Sequence, residues 1–172
     1  MDSHPYDVLP LERGGSLIFT PCPGTRGTDV QTSVSQLKQA GAQAVITLTP
    51  AEEMARLGVE DLPDACRRQG LAWLHLPVED DAAPASLFHE RWQAQKVQAH
   101  QILDHGGALA IHCKGGSGRT GLMAAIILLE RGNKLERVLS TVQALRPKAL
   151  KLQAHVDYLA GIAKAADTGD KI

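Results

Sequence analysis

A chain of 172 residues with 44% apolar and 22% charged side chains has the size and make-up of one globular domain, not of a disordered segment. A formal net charge of −1, with no block of Lys or Arg, argues against nucleic acid or an anionic membrane as the main partner, and the longest apolar run, Leu122 to Leu129, is too short for membrane insertion. Three cysteines without repeating spacing do not make a disulfide framework; with no signal-like leader and no apolar run longer than Leu122 to Leu129, they point to a reducing cytoplasm.

Residues 1–15 hold two prolines and a Gly-Gly pair and are expected to form an N-terminal arm. Ser16 to Thr20 reads as a strand, closed by Pro-Cys-Pro-Gly. Asp29 is placed to cap a helix whose face carries Val30, Val34 and Leu37 and which ends at Gly41. Ala44 to Leu48 is a buried strand, followed by short helices over Pro50 to Leu57 and Asp61 to Gln69. Leu71 to Leu76 is a third strand, running into Pro77 and an acidic loop. Ser86 to His105 has the spacing of a long amphipathic helix, with Phe88 and Trp92 as core packing. Ala108 to His112 is the next strand. Thr120 to Arg131 is a helix apolar on nearly every face, hence central. Helices over Leu135 to Leu145 and Leu150 to Ala166 complete a domain spanning 16–166, with 167–172 as a tail. Strands alternating with helices predict an α/β fold with a mainly parallel central sheet.

The chemistry concentrates in Ile111 to Gly121, where a strand ends in Cys113 and a helix begins near Arg119. Lys114, Gly115, Gly116, Ser117, Gly118 and Arg119 form the expected phosphate-binding loop. The helix N-terminus offers unpaired N–H groups to a tetrahedral anion, and the three glycines let the backbone take up positive φ and turn its amides inward. Arg119 is placed to hold two phosphate oxygens through its planar fork. The same field favours the thiolate of Cys113 as a nucleophile. His112 is expected to bond loop backbone, and Thr120 to bring its hydroxyl near the sulfur. A Walker-type nucleotide loop is excluded, because Gly-Arg-Thr stands where Gly-Lys-Ser/Thr is needed.

His-Cys-x-x-Gly-x-x-Arg-Thr, filled by His112, Cys113, Gly116, Arg119 and Thr120, resembles the signature of the protein tyrosine phosphatase superfamily. Within its dual-specificity branch, the chain is most similar to the kinase-associated phosphatase group over about residues 16–163. The resemblance implies metal-independent hydrolysis of a phosphomonoester through a phosphocysteine intermediate, with an aspartate as acid. Pro77-Val78-Glu79-Asp80 fits that acid stretch and selects Asp80, with Asp81 as rival. Gln153 corresponds to the glutamine that orients water in many relatives, and an early Pro23-Gly24-Thr25 and the Glu-rich helix after a strand match more loosely. No tyrosine-rich recognition loop is present, so the pocket is expected to be shallow and open to phosphoserine and phosphothreonine as well as phosphotyrosine. Lys114 would favour a more anionic phosphoinositide or nucleotide.

The expected partner is therefore a phosphorylated protein or another phosphomonoester, and no cofactor is implied. His75, His89, His100, His105 and His155 have no metal-ligand spacing. Cys22 and Cys66 are expected to be inert core residues, though either could protect Cys113 as a disulfide. Arg146, before Pro147, reads as a helix-ending charge. Ionised Cys113 with protonated Asp80 predicts a bell-shaped rate profile peaking on the acid side of neutrality. The competing functions are a non-hydrolysing phosphate-binding module and a thiol-coupled arsenate reductase; the latter family carries its loop near the N-terminus.

Overall fold

In the computed structural model, which describes residues 3–167, a five-stranded sheet separates two apolar clusters. The strands are β1 (Asp7–Pro10), β2 (Ser16–Thr20), β3 (Ala42–Thr47), β4 (Ala72–His75) and β5 (Ala108–His112). They lie in the order β1-β2-β5-β3-β4, with every neighbouring pair parallel except β1 with β2. The two-residue period of strands decides which side chain enters which cluster. Leu17, Phe19, Ile46, Leu109 and Ile111 face one side, while Ile18, Val45, Ala108 and Ala110 face the other.

The second side is covered by α1 (Val30–Gln39) and α3 (Leu62–Arg68), with α2 (Ala51–Leu57) beside them. Asp29 caps α1 as expected, accepting from the Thr32 N–H at 2.7 Å. The first side holds α4 (Ser86–Asp104), α5 (Gly118–Glu130), α6 (Leu135–Leu145) and α7 (Gln153–Asp167). Every residue of α5 from Arg119 to Leu129 is buried, which is why its sequence is apolar all round. Phe88 and Trp92 are core residues, at 1% and 3% exposure.

Two expected boundaries change by more than two residues. The stretch read as an arm supplies β1, because Asp7 to Pro10 pairs antiparallel with Ser16 to Phe19 across the Gly14-Gly15 turn. It is further anchored by the buried His4, whose ring meets Thr20 and the Pro21 carbonyl. Helix α7 begins at Gln153, not at Leu150, because Leu150 has φ +59, a left-handed conformation that cannot continue a right-handed helix. Of the expected tail, 168–172 lies outside the described residues.

Chain connections place α1 on one face of the sheet and α4 on the other, so β5 sits where the winding reverses. In such sheets the crevice at the carboxyl ends of the strands is where ligands bind. Close packing behind that edge is tight at Gly121: a Cβ there would lie 2.6 Å from the Cβ of Ala149 and 3.2 Å from Cγ1 of Val142. Gly121→Ala is therefore expected to destabilise the domain by about 1–3 kcal/mol through overpacking. In urea unfolding, the midpoint should fall with the slope unchanged.

Candidate active site

Cys113 follows directly on the central strand, with 3% of its surface exposed. Its sulfur accepts from the Gly116 N–H at 3.3 Å and from the Thr120 hydroxyl at 3.2 Å. The expected position of the Thr120 hydroxyl is the one found. Of the three glycines, Gly116 alone takes positive φ (+82), and a Cβ on it would strike the Thr20–Pro21 backbone at 2.7 Å. Gly115 and Gly118 serve differently from the expectation: nothing lies within 4 Å of where their Cβ atoms would be, so they leave the mouth open.

The loop is held from behind through its carbonyls. His112 Nδ1 lies 3.0 Å from the Cys113 oxygen, the Cys22 N–H donates to the Lys114 oxygen at 3.0 Å, and Arg146 Nε–H donates to the Gly116 oxygen at 3.0 Å. A trans peptide points its N–H opposite to its C=O. Fixing these three carbonyls rearward therefore turns the N–H groups of Lys114, Gly115 and Ser117 toward the mouth, an array suited to an anion. His112 is fully buried, and burial pushes its ring down to about 4, so it is neutral. Its Nδ1–H then donates to Cys113, and Nε2 accepts from the Thr47 hydroxyl at 2.8 Å; that hydroxyl accepts from the Trp73 indole N–H, also at 2.8 Å.

Arg119, in the first turn of α5, is 3% exposed. Nη1–H and Nη2–H donate to the two oxygens of Glu53 at 2.8 Å each, and Nη1–H also donates to the Val78 carbonyl at 3.0 Å. Guanidinium has five N–H donors. Three are occupied, and the two that remain, on Nε and Nη2, lie side by side on one edge, the geometry for two oxygens of one phosphate. Hydrogen bonds from Arg119 hold the Glu53 carboxyl below the usual carboxylate range.

Glu53 is the functional residue that reading the sequence missed. A signal existed: Glu53 shares the inward face of α2 with Met54, and a carboxylate on a buried face requires a partner. Arg146 is likewise more than a helix-ending charge. Besides bonding Gly116, it donates to Asp7 of β1 at 2.7 Å and lies over the Phe19 ring at 5.7 Å.

Asp80 stands at the front, with its side chain 67% exposed and Oδ1 3.7 Å from Arg119 Nε. Asp81 is its neighbour, at φ +59, and both line a cavity of about 340 Å³ together with Gly118, Arg119 and His155. The buried His155 bonds through Nε2 to the Ala82 carbonyl at 2.8 Å, tying the acidic segment to α7. Gln153 is not brought to the site. It is exposed, and its Nε2–H donates to Asp157 of its own helix at 2.7 Å. Because α7 starts late, its first turn presents His155 to the cavity instead. Cys22 and Cys66 are buried free thiols, each pushed up to about 12 by burial.

Residues 23–133 match the family model for the polymorphic toxin system DSP-PTPase phosphatase. Rat cyclin-dependent kinase inhibitor 3 is 30% identical over 128 residues, covering 70% of this chain and 59% of the relative. Mouse protein tyrosine phosphatase type IVA 3 is 26% identical over 121 residues, covering 70% and 65%. The chain thus spans 59% and 65% of the length of these relatives. Among solved structures, kinase associated phosphatase with its catalytic cysteine replaced by serine superposes with a TM-score of 0.83, over 100% of this chain and 99% of that one, at 21% identity. PTPMT1 in complex with PI(5)P superposes with a TM-score of 0.67, over 95% and 98%, at 15% identity.

Two outcomes follow from the geometry. Glu53→Gln leaves a buried guanidinium without its counter-charge, which should cost about 3–5 kcal/mol of stability in chemical unfolding. Since the Glu53 carboxyl is held low in the folded state, its contribution is fully present above the ordinary carboxyl value of about 4.3 and is lost as pH falls through the lowered one. The gap between wild type and variant should therefore close in acid. His155→Ala should free the acidic segment and speed amide hydrogen exchange at Asp81 and Ala82, with His155→Gln, which keeps a donor, restoring part of the protection.

Proposed function

The chain belongs to the polymorphic toxin system DSP-PTPase phosphatase family, and we propose that it is an active phosphomonoesterase working through Cys113 without a metal. The observation that carries this reading is a buried sulfur accepting two hydrogen bonds in the loop that ends at a guanidinium, whose Nε and one Nη2 N–H make no hydrogen bond among the described residues and whose Nε faces Asp80. An amide and a hydroxyl directed at the sulfur can stabilise negative charge on it during attack and departure, and an oxyanion bound to the Arg119 edge would have its phosphorus in front of it.

In the first step the Cys113 sulfur attacks phosphorus while the bond from phosphorus to the ester oxygen breaks. Asp80 gives its proton to that departing oxygen, so the alcohol leaves neutral. In the second step water attacks phosphorus, Asp80 as carboxylate takes a water proton, and the phosphorus–sulfur bond breaks to return the thiolate and release inorganic phosphate. The Thr120 hydroxyl stabilises the departing sulfur. Asp80 is preferred to Asp81 because its carboxyl approaches Arg119 Nε, at 3.7 Å, and so faces the bound phosphate.

Asp80 is largely exposed, and Gly115 and Gly118 border open space, which supports a shallow mouth that takes phosphoserine and phosphothreonine as well as phosphotyrosine. Lysines beside the mouth favour a second substrate reading, a small polyanionic phosphate ester.

The test is hydrolysis of para-nitrophenyl phosphate in chelator-treated buffer. Wild type should turn over, Cys113→Ser should abolish activity, and Asp80→Asn should lower kcat by about a hundredfold or more, the span of a general acid. A folded wild type without turnover would favour the binding-module reading, and equal loss from Asp81→Asn would move the acid role by one residue.

A further inference from the structure

The turn between α6 and α7 belongs neither to the phosphate-binding loop nor to the acidic segment, yet it forms a wall of the cavity they share. Leu150 is buried at 4% and serves as its peg, in a left-handed conformation that branched side chains rarely adopt. Gln143 clamps the turn by donating to the carbonyls of Ala149 at 3.1 Å and Leu150 at 3.4 Å. On either side of the peg, Lys148 and Lys151 line the cavity. Among the described residues neither ammonium has a hydrogen bond or an ion pair. The buried Leu150 thus sets the turn so that two exposed lysines border the cavity beside the anion-binding loop.

The same cavity is also lined by groups of the other sign, Asp80 and Asp81, and by Arg119. Ammonium groups bind a phosphate, whereas a carboxylate such as that of Asp81 accepts hydrogen bonds from hydroxyls. We propose that Lys148 and Lys151 form a second anion subsite, and that the ligand class is a polyol carrying another phosphate beside the scissile one. This assignment rests on the phosphomonoesterase reading above. The volume, about 340 Å³, falls in the range of small-molecule sites.

The experiment is calorimetric binding to the Cys113→Ser protein of a vicinal inositol bisphosphate and of an inositol monophosphate. The bisphosphate should bind about tenfold or more tightly, the worth of a charge-assisted contact. Changing both Lys148→Ala and Lys151→Ala should bring the two affinities within about twofold. Equal affinities in the parent protein, or a preference that survives both lysine changes, overturns the subsite. Phosphatidylcholine vesicles with and without a bisphosphorylated phosphatidylinositol identify the source. Lysine-dependent binding to the vesicles alone supports a lipid headgroup, and lysine-dependent binding of the soluble compound supports a soluble polyol. A doubly phosphorylated peptide that binds more tightly than either, whatever stands at 148 and 151, overturns the proposal. Turnover of para-nitrophenyl phosphate by wild type is read separately: its absence sinks the hydrolytic reading, while the calorimetric comparison still decides the subsite.

Discussion

The buried pair of Arg119 and Glu53 is the constraint around which the site is arranged. Such pairs seldom add net stability, because removing two charges from water costs about as much as their attraction returns, and apolar substitutes are often as stable or more so. What the pair supplies here is orientation. Glu53 grips the end of the guanidinium, the Val78 carbonyl takes one more N–H, and the Nε edge is left toward Asp80 and the cavity. One planar group thereby fixes three chain segments: α2 after β3, the start of the acidic segment after β4, and the first turn of α5 after β5. A lysine at 119 could hold one of these, but not all three while still offering two parallel donors.

The sheet explains why those segments meet. Parallel strands end on the same edge, so residues after β3, β4 and β5 converge although they lie at 53, 78–80 and 113–119 in the chain. Strand β2 and the pairing partner it gains in β1 contribute from behind. Thr20 and Pro21 form the surface on which Gly116 turns, and Asp7 steadies the arginine that bonds the Gly116 carbonyl. The front of the loop is thus shaped by contacts at its back, and each rearward carbonyl bond sets the direction of the amide that follows it.

This division also accounts for what could be read from the sequence. The strands and long helices were legible because burial on two faces demands short apolar runs, as in Ser16 to Thr20 and Ala108 to His112, and burial of one stripe demands the spacing of Phe88, Trp92, Ala99 and Leu103. Cys113, Gly116, Arg119 and Thr120 were legible because their roles depend on local spacing along one loop. Arg146 and His155 act across gaps of 30 and 73 residues, and nothing in their immediate neighbours marks them; Glu53 acts across 66, and its place beside Met54 on the buried face of α2 is its one local sign. Gln153 failed for a local reason that only the backbone reveals: the left-handed Leu150 delays the helix and shifts which residue faces the cavity. Strand β1 was missed because Asp-Val-Leu-Pro has little strand character of its own, and its place is set by pairing with β2 and by His4.

Environment, more than burial, sets the three cysteines apart. Cys22, Cys66 and Cys113 are exposed by 0%, 0% and 3%, so solvent access does not distinguish them. The direction of hydrogen bonding separates Cys22 from Cys113. The Cys22 sulfur points its S–H toward the Pro23 carbonyl at 3.7 Å, the posture of a thiol, and burial holds it there. The Cys113 sulfur is the target of an amide and a hydroxyl, the posture of an acceptor, at the N-terminal end of a 13-residue helix whose dipole favours negative charge. Gly116 supplies one of those donors only because its positive φ turns the amide inward, and its lack of a Cβ is what lets the turn rest on Thr20 and Pro21. The reactivity assigned to one sulfur therefore depends on a glycine three residues away, and that glycine's position depends on the strand beside it.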